Sequence, residues 1–129
     1  MVTAKQVVDR LKQFGYEVSA EENTQVNFEL NLTLDYVKNY CNIEKIPLIL
    51  DNRIIDKVSS SYLFNRKNSG ELEGFDYDSV IKQIKEGDTT ISYAVGQGED
   101  TPENRFDSLV KQLERGFDKW LTPHRALRW

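Results

Sequence analysis

Cysteine and histidine do most nucleophilic and metal-binding chemistry, and this chain of 129 residues holds one of each, Cys41 and His124. One thiol cannot close an intrachain disulfide. Cys41 and His124 together fall short of the four Cys/His ligands that a closed zinc site needs. Cys41 falls on an apolar helical stripe, where a thiol is ordinarily buried and inert. His124 follows Pro123 near the chain end, and no partner for it can be picked out. The carboxylates Glu71, Glu73, Asp76 and Asp78 surround Gly74, but Phe75 and Tyr77 interrupt the alternation of a calcium loop. Its closing glutamate position is taken by Lys82, so a solvated acidic loop is expected. Gly96-Gln-Gly98 is followed by Glu99, Asp100 and Glu103, which repel phosphate, so this segment reads as a hinge. These residues predict no catalytic group, no cofactor and no metal: the chain reads as a protein that is not an enzyme.

Composition agrees with that reading. The chain is 39% hydrophobic and 29% charged, with 17 basic against 21 acidic residues and a net charge of −4. The acidic balance argues against a protein that grips nucleic acid over its whole surface. No stretch approaches the roughly 20 apolar residues of a membrane span. The opening Met-Val-Thr-Ala-Lys-Gln has neither the basic patch nor the apolar block of a signal peptide. The expectation is one domain, made in a reducing cytoplasm and without a membrane partner.

The elements follow from periodicity. Thr3 and Gln6 have the spacing of a capping box, and Val7, Val8, Leu11 and Phe14 share a face before Gly15. A second helix runs from about residue 22 to 42. Val26, Leu30, Leu34, Val37 and Cys41 form one stripe on it; Phe28, Leu32, Tyr36 and Tyr40 form another. A helix apolar on two sides must be covered on two sides, and the second cover can be another copy of the chain. A third helix is expected from about 48 to 66, with Ser59, Ser60 and Ser61 allowing close helix approach. After Asn68-Ser-Gly70 and the acidic loop, a short helix spans about 79–85. Thr101 and Pro102 open a last helix that carries Phe106, Leu109, Val110, Leu113, Phe117 and Trp120 and stops at Thr122-Pro123.

Two segments break the helical pattern. Residues 88–95 alternate, with Ile91, Tyr93 and Val95 on one side and Thr90, Ser92 and Ala94 on the other, the period of a half-buried strand. No internal partner for it can be found, and an unpaired strand invites pairing with another chain. Thr89, Ile91, Tyr93 and Val95 are therefore an expected intersubunit strand, alongside Phe28, Leu32 and Tyr36 as an intersubunit helix face. The ending His124-Arg-Ala-Leu-Arg-Trp129 is apolar and basic, whereas frayed ends are usually polar. Arg125, Leu127, Arg128 and Trp129 are the expected anchors of a docking tail. The fold class is thus mainly α. It is a small helical bundle over residues 1–121 with one β-strand or hairpin excursion at about 87–101 and an extended tail at 122–129.

With these elements in order, the chain resembles the head–tail connector (adaptor) proteins of tailed bacteriophages and prophages. The resemblance is carried by a short helix, two long helices and another short helix. It is carried also by the run Ile81-Lys-Gln-Ile-Lys-Glu-Gly-Asp-Thr-Thr-Ile-Ser-Tyr93, with its Gly-Asp and Ser-Tyr, and by the ending Arg125-Ala-Leu-Arg128-Trp129. The Pro123-His124 break and the loop at 71–78 depart from the family's pattern. The resemblance implies a virion protein of the head–tail interface, assembled as a ring of about a dozen copies. It also implies the portal protein on one side, a tail-completion or tail-terminator protein on the other, and DNA as a passing substrate of the channel. A collar or tail-completion ring of a contractile tail-like particle is the related alternative. A cytoplasmic helical adaptor unrelated to phage is the alternative from another class.

Overall fold

The computed structural model describes residues 1–72, 74–87 and 101–126, and these form a helical bundle. The first helix, α1 (Ala4–Gln13), starts as its spacing predicts. Gln6 donates its backbone N–H to Thr3 Oγ1 at 3.4 Å, and the Gln6 side chain accepts from the Thr3 N–H at 2.9 Å. Gly15 ends it with φ +93°, a left-handed conformation that strains any residue with a Cβ. The returning Tyr16 N–H then closes on the Leu11 carbonyl at 2.9 Å.

The second helix, α2 (Asn23–Cys41), buries Val26, Leu30, Leu34, Val37 and Cys41. It ends where Asn42 takes the left-handed conformation at φ 57°, one of the few non-glycine residues that does so readily. The third helix, α3 (Asp51–Asn68), is preceded by a 3₁₀ turn at Leu48–Leu50, so the α-helix proper starts three residues later than the apolar pattern suggests. Pro47 stands just before this turn in extended backbone, with φ −59° and ψ 138°. α3 is the central element, touching α1, α2 and the last helix. That is why Ser59, Ser60 and Ser61 are buried alongside Ile54, Val58, Tyr62 and Leu63. The Ser60 hydroxyl meets this burial by donating to the Asp56 carbonyl at 2.7 Å.

The fourth helix, α4 (Tyr77–Gly87), begins two residues earlier than its periodicity indicates. The Asp76 carboxylate accepts the Ser79 N–H at 3.1 Å, an N-terminal cap of side-chain type. The acidic segment before it is only partly exposed, since Leu72 and Tyr77 are buried. The last helix, α5 (Pro102–Leu121), has the Thr101 hydroxyl as cap, accepting the Asn104 N–H at 3.3 Å. Its buried row is Phe106, Leu109, Val110, Phe117 and Leu121.

Helix directions follow from the cross-links. The start of α2 meets the end of α3 through Glu22 and Tyr62, and the start of α5 meets the end of α3 through Lys67–Asp107 at 3.1 Å. α2 and α5 therefore run the same way, both antiparallel to α3. The expected strand with Thr89, Ile91, Tyr93 and Val95, the hinge at Gly96 and Gly98, and the tail residues Leu127, Arg128 and Trp129 lie outside the described residues. No described helix is long and apolar enough to cross a membrane.

Candidate functional site

The second apolar row of α2 stays on the surface. Phe28 is 63% exposed, Leu32 51% and Tyr36 44%, although they repeat at the four-residue spacing of a packing ridge. The row lies across the helix from the stripe that enters the core. Its flanks are polar and acidic: Gln25, Asn31, Asp35 and Asn39 are exposed, and Glu29 is half-buried.

At its C-terminal end the row runs into a seam with α5. The Tyr36 ring stacks on Tyr40 at 5.9 Å between centroids and on Phe117 at 6.2 Å. The Tyr36 hydroxyl donates to the Asp118 carboxylate. That bond, with some burial behind it, pushes the phenol up to about 12. Across α5, the Arg53 guanidinium lies 3.4 Å above the Trp120 ring and the Lys57 ammonium 5.7 Å from the Phe117 ring. Leu48 and Ile49, one turn before Arg53, are 73% and 76% exposed.

The stem of the expected docking tail is tied to the same end of the bundle. Thr122–His124 forms a 3₁₀ turn, and the Tyr40 and Thr122 hydroxyls lie 2.9 Å apart. The Ala126 N–H donates to the Cys41 carbonyl at 2.7 Å, and Asn42 Nδ2 donates to the Ala126 carbonyl at 3.2 Å. Arg125 lies over the Tyr40 ring at 5.0 Å. Cys41 is buried, its Sγ 3.5 Å from the Leu121 carbonyl, and burial pushes its thiol up. A thiol held protonated in this way is a poor nucleophile.

No family model, no curated protein and no solved structure matches the chain.

One cluster escaped the sequence reading. The Glu22 carboxylate, where α2 begins, accepts from the Tyr16 hydroxyl, from the Tyr62 hydroxyl at 2.5 Å and from the Ser19 hydroxyl at 3.1 Å. Arg66 donates to the Tyr16 oxygen at 3.1 Å and pairs with Glu71. Burial raises the Glu22 carboxyl, but the donated hydrogen bonds outweigh it and hold the group below its ordinary value. Burial and the Glu22 charge push both tyrosines up. This knot ties α2 to α3 and forms one wall of a groove of about 460 Å³ that Phe28 borders. Its carboxylate and its guanidinium neutralise each other, which suits fastening better than proton transfer. The described acids of the 71–78 segment are likewise engaged: Glu71 with Arg66, Asp76 as a cap, and Asp78 with Arg105 at 2.9 Å; Glu73 lies outside the described residues.

Proposed function

We propose that the protein is a structural head–tail connector, one protomer of a ring between the portal and the tail of a tailed phage or prophage. The observation that carries this reading is the exposed row Phe28, Leu32 and Tyr36 on α2, opposite a complete core stripe. Tyr36 ties the end of the row to α5 through Asp118 and Phe117, while Phe28 and Leu32 stand 63% and 51% exposed and can serve a neighbour. Burying such side chains stabilises a contact by about 2 kcal/mol each. The same patch repeated on every copy builds a closed ring when the contact is heterologous and the rotation closes.

The remaining roles are proposed with it. Residues 88–95 supply a strand for pairing between copies through Ile91 and Tyr93. Arg125, Leu127, Arg128 and Trp129 dock into the portal, and a tail-completion protein binds the other side. The net charge of −4 suits a conduit, since a channel in which DNA slides must not hold phosphates.

Sedimentation across a concentration series, with negative-stain images of the concentrated sample, tests the reading. The expected result is a shift from small species to high-order rings. Leu32→Ser should weaken or abolish the rings while leaving the helical circular dichroism unchanged. A protein that stays monomeric at high concentration and beside a portal, yet binds duplex DNA tightly at moderate salt, would sink the connector reading.

A further inference from the structure

The α5 surface carries a second row at the same spacing as the first. Lys111, Arg115 and Lys119 are exposed and stand four residues apart, on the side of α5 away from Phe106, Leu109, Val110 and Phe117. Among the described residues none of the three makes an ion pair. Two acids of α5 are engaged by the chain's own helices: Asp107 bonds Lys67 on α3, and Asp118 accepts from Tyr36 on α2. Glu103 and Glu114 are exposed: Glu103 stands in the first turn of the helix, well before Lys111, and Glu114 is set off the row of Lys111, Arg115 and Lys119 by its spacing. The outward strip of α5 is therefore basic, and polar between its charges, with Asn104 and Ser108 along it.

The outward strip of α2 is its complement. It has three large apolar side chains and the acids Asp35 and Glu29, and its one base, Lys38, lies toward the side of the core stripe. In both rows the first and last residues stand eight positions apart, about 12 Å at the rise of an α-helix. Rows of i, i+4 spacing on two helices interdigitate, with axes crossing at about −50°. In such a contact the aliphatic stems of Lys111, Arg115 and Lys119 cover Phe28 and Leu32, and their charged heads reach Glu29, Asp35 and the Tyr36 ring.

We infer that the outward row of α2 on one copy docks against the basic outward row of α5 on the next copy, a head-to-tail contact between two different faces of the same chain. This deepens the ring reading above and rests on it. The occupant is a second copy because the chain itself carries the matching charge, spacing and length. Two unlike faces meeting make a heterologous contact, and such contacts propagate into a ring where a self-complementary patch would stop at a dimer.

The test uses two full-length variants, Leu32→Ser, which removes the apolar contact without adding a charge that the basic row would attract, and Arg115→Glu, each placed on one face only. Both residues are exposed, so thermal melts of the variants should overlay that of the parent chain. Each variant alone should remain monomeric under conditions where the parent assembles. Mixed in equal amounts they should form a species of twice the monomer mass and no larger, since each has one intact face. If the parent assembles and the mixture stays monomeric, or Arg115→Glu assembles like the parent, the α2–α5 contact is wrong while the ring survives. A parent chain that never assembles removes the ring and this contact together.

Discussion

At the scale of single residues, the polar knot around Glu22 makes the sharpest predictions. Glu22 gathers hydrogen bonds from Tyr16, Tyr62 and Ser19 in a half-buried setting. A hydrogen bond to a charged group contributes more than one between neutral groups. Tyr62→Phe removes one donor and little volume, so it should lower stability by about 1.5–2 kcal/mol in a denaturant titration at neutral pH. The pH dependence has a fixed sign. Folding depresses the Glu22 carboxyl, so its contribution is complete above its ordinary value of 4.5 and is lost as pH falls through its lowered value. Melts of the parent chain and Tyr62→Phe should therefore converge as the pH is taken well below 4.5; a constant gap down to the acid end would mean the tyrosine acts through packing alone. Tyr36 makes a second residue-scale case on the alkaline side. Its phenol is pushed up to about 12 by donating to Asp118, so Asp118→Asn should bring one tyrosine of the ultraviolet titration back toward 10. No such movement would place the phenol's partner elsewhere.

At the scale of elements, the ends of helices separate what holds the fold from what holds the tail. Asn42 does two things: its left-handed backbone ends α2, and its side chain holds the Ala126 carbonyl. Glycine accepts the same left-handed backbone and is the commonest residue there, so Asn42→Gly should not destabilise the chain through the backbone itself. The lost side-chain bond should instead speed trypsin cleavage after Arg125, read by mass spectrometry; unchanged cleavage would show that the Ala126 N–H bond to Cys41 suffices alone. Ser59 is a contrasting position. Its buried hydroxyl has no hydrogen-bond partner among the described residues, so Ser59→Ala should be neutral or stabilising by up to about 1 kcal/mol. Helix ends of this kind were largely legible beforehand, because a cap is a local event: Thr3 with Gln6, Thr101 with Pro102, and Gly15 each act within four residues. The two rows of α2 were legible for the same reason, as spacing along one helix. Asp76 does not stand out as a cap in the sequence, because its carboxylate stands among neighbouring acids in a segment with the composition of a solvated loop. The Glu22 knot and the Tyr36–Asp118 bond join residues 40 and 82 apart. Periodicity says which side of a helix is apolar, not which helix will lie against it, so no local signal marks those pairs.

At the scale of the whole molecule, the described bundle divides into an interior that is complete and a surface that is not. The core stripes of all five helices find partners within the chain, while Phe28 and Leu32 on α2 and Leu48 and Ile49 before α3 remain outside. Stability and assembly should therefore respond to different substitutions, and the tail gives a way to test this separation at the proposed portal end. The tail is fastened at Ala126 through both its N–H and its carbonyl, which makes the cut after that residue the informative one. Removing residues 126–129 would delete an anchor of α2 along with the proposed docking residues, and a defect would have two explanations. Removing only residues 127–129 keeps the bonds to Cys41 and Asn42 and the Arg125–Tyr40 contact. That shorter deletion leaves every described tail bond in place, so a small change in melting temperature is expected. A drop of more than roughly 4 °C, about 1 kcal/mol for a domain of this size, would mean that the removed residues also hold the fold. The deletion should also leave self-assembly intact, since the α2 and α5 rows are untouched. Docking to a portal ring, measured by co-sedimentation, should be lost, because Leu127, Arg128 and Trp129 are its proposed anchors. Retained docking would move the portal contact off the tail and onto the bundle, where the exposed Leu48–Ile49 pair beside Arg53 and Trp120 becomes the surface to mutate next.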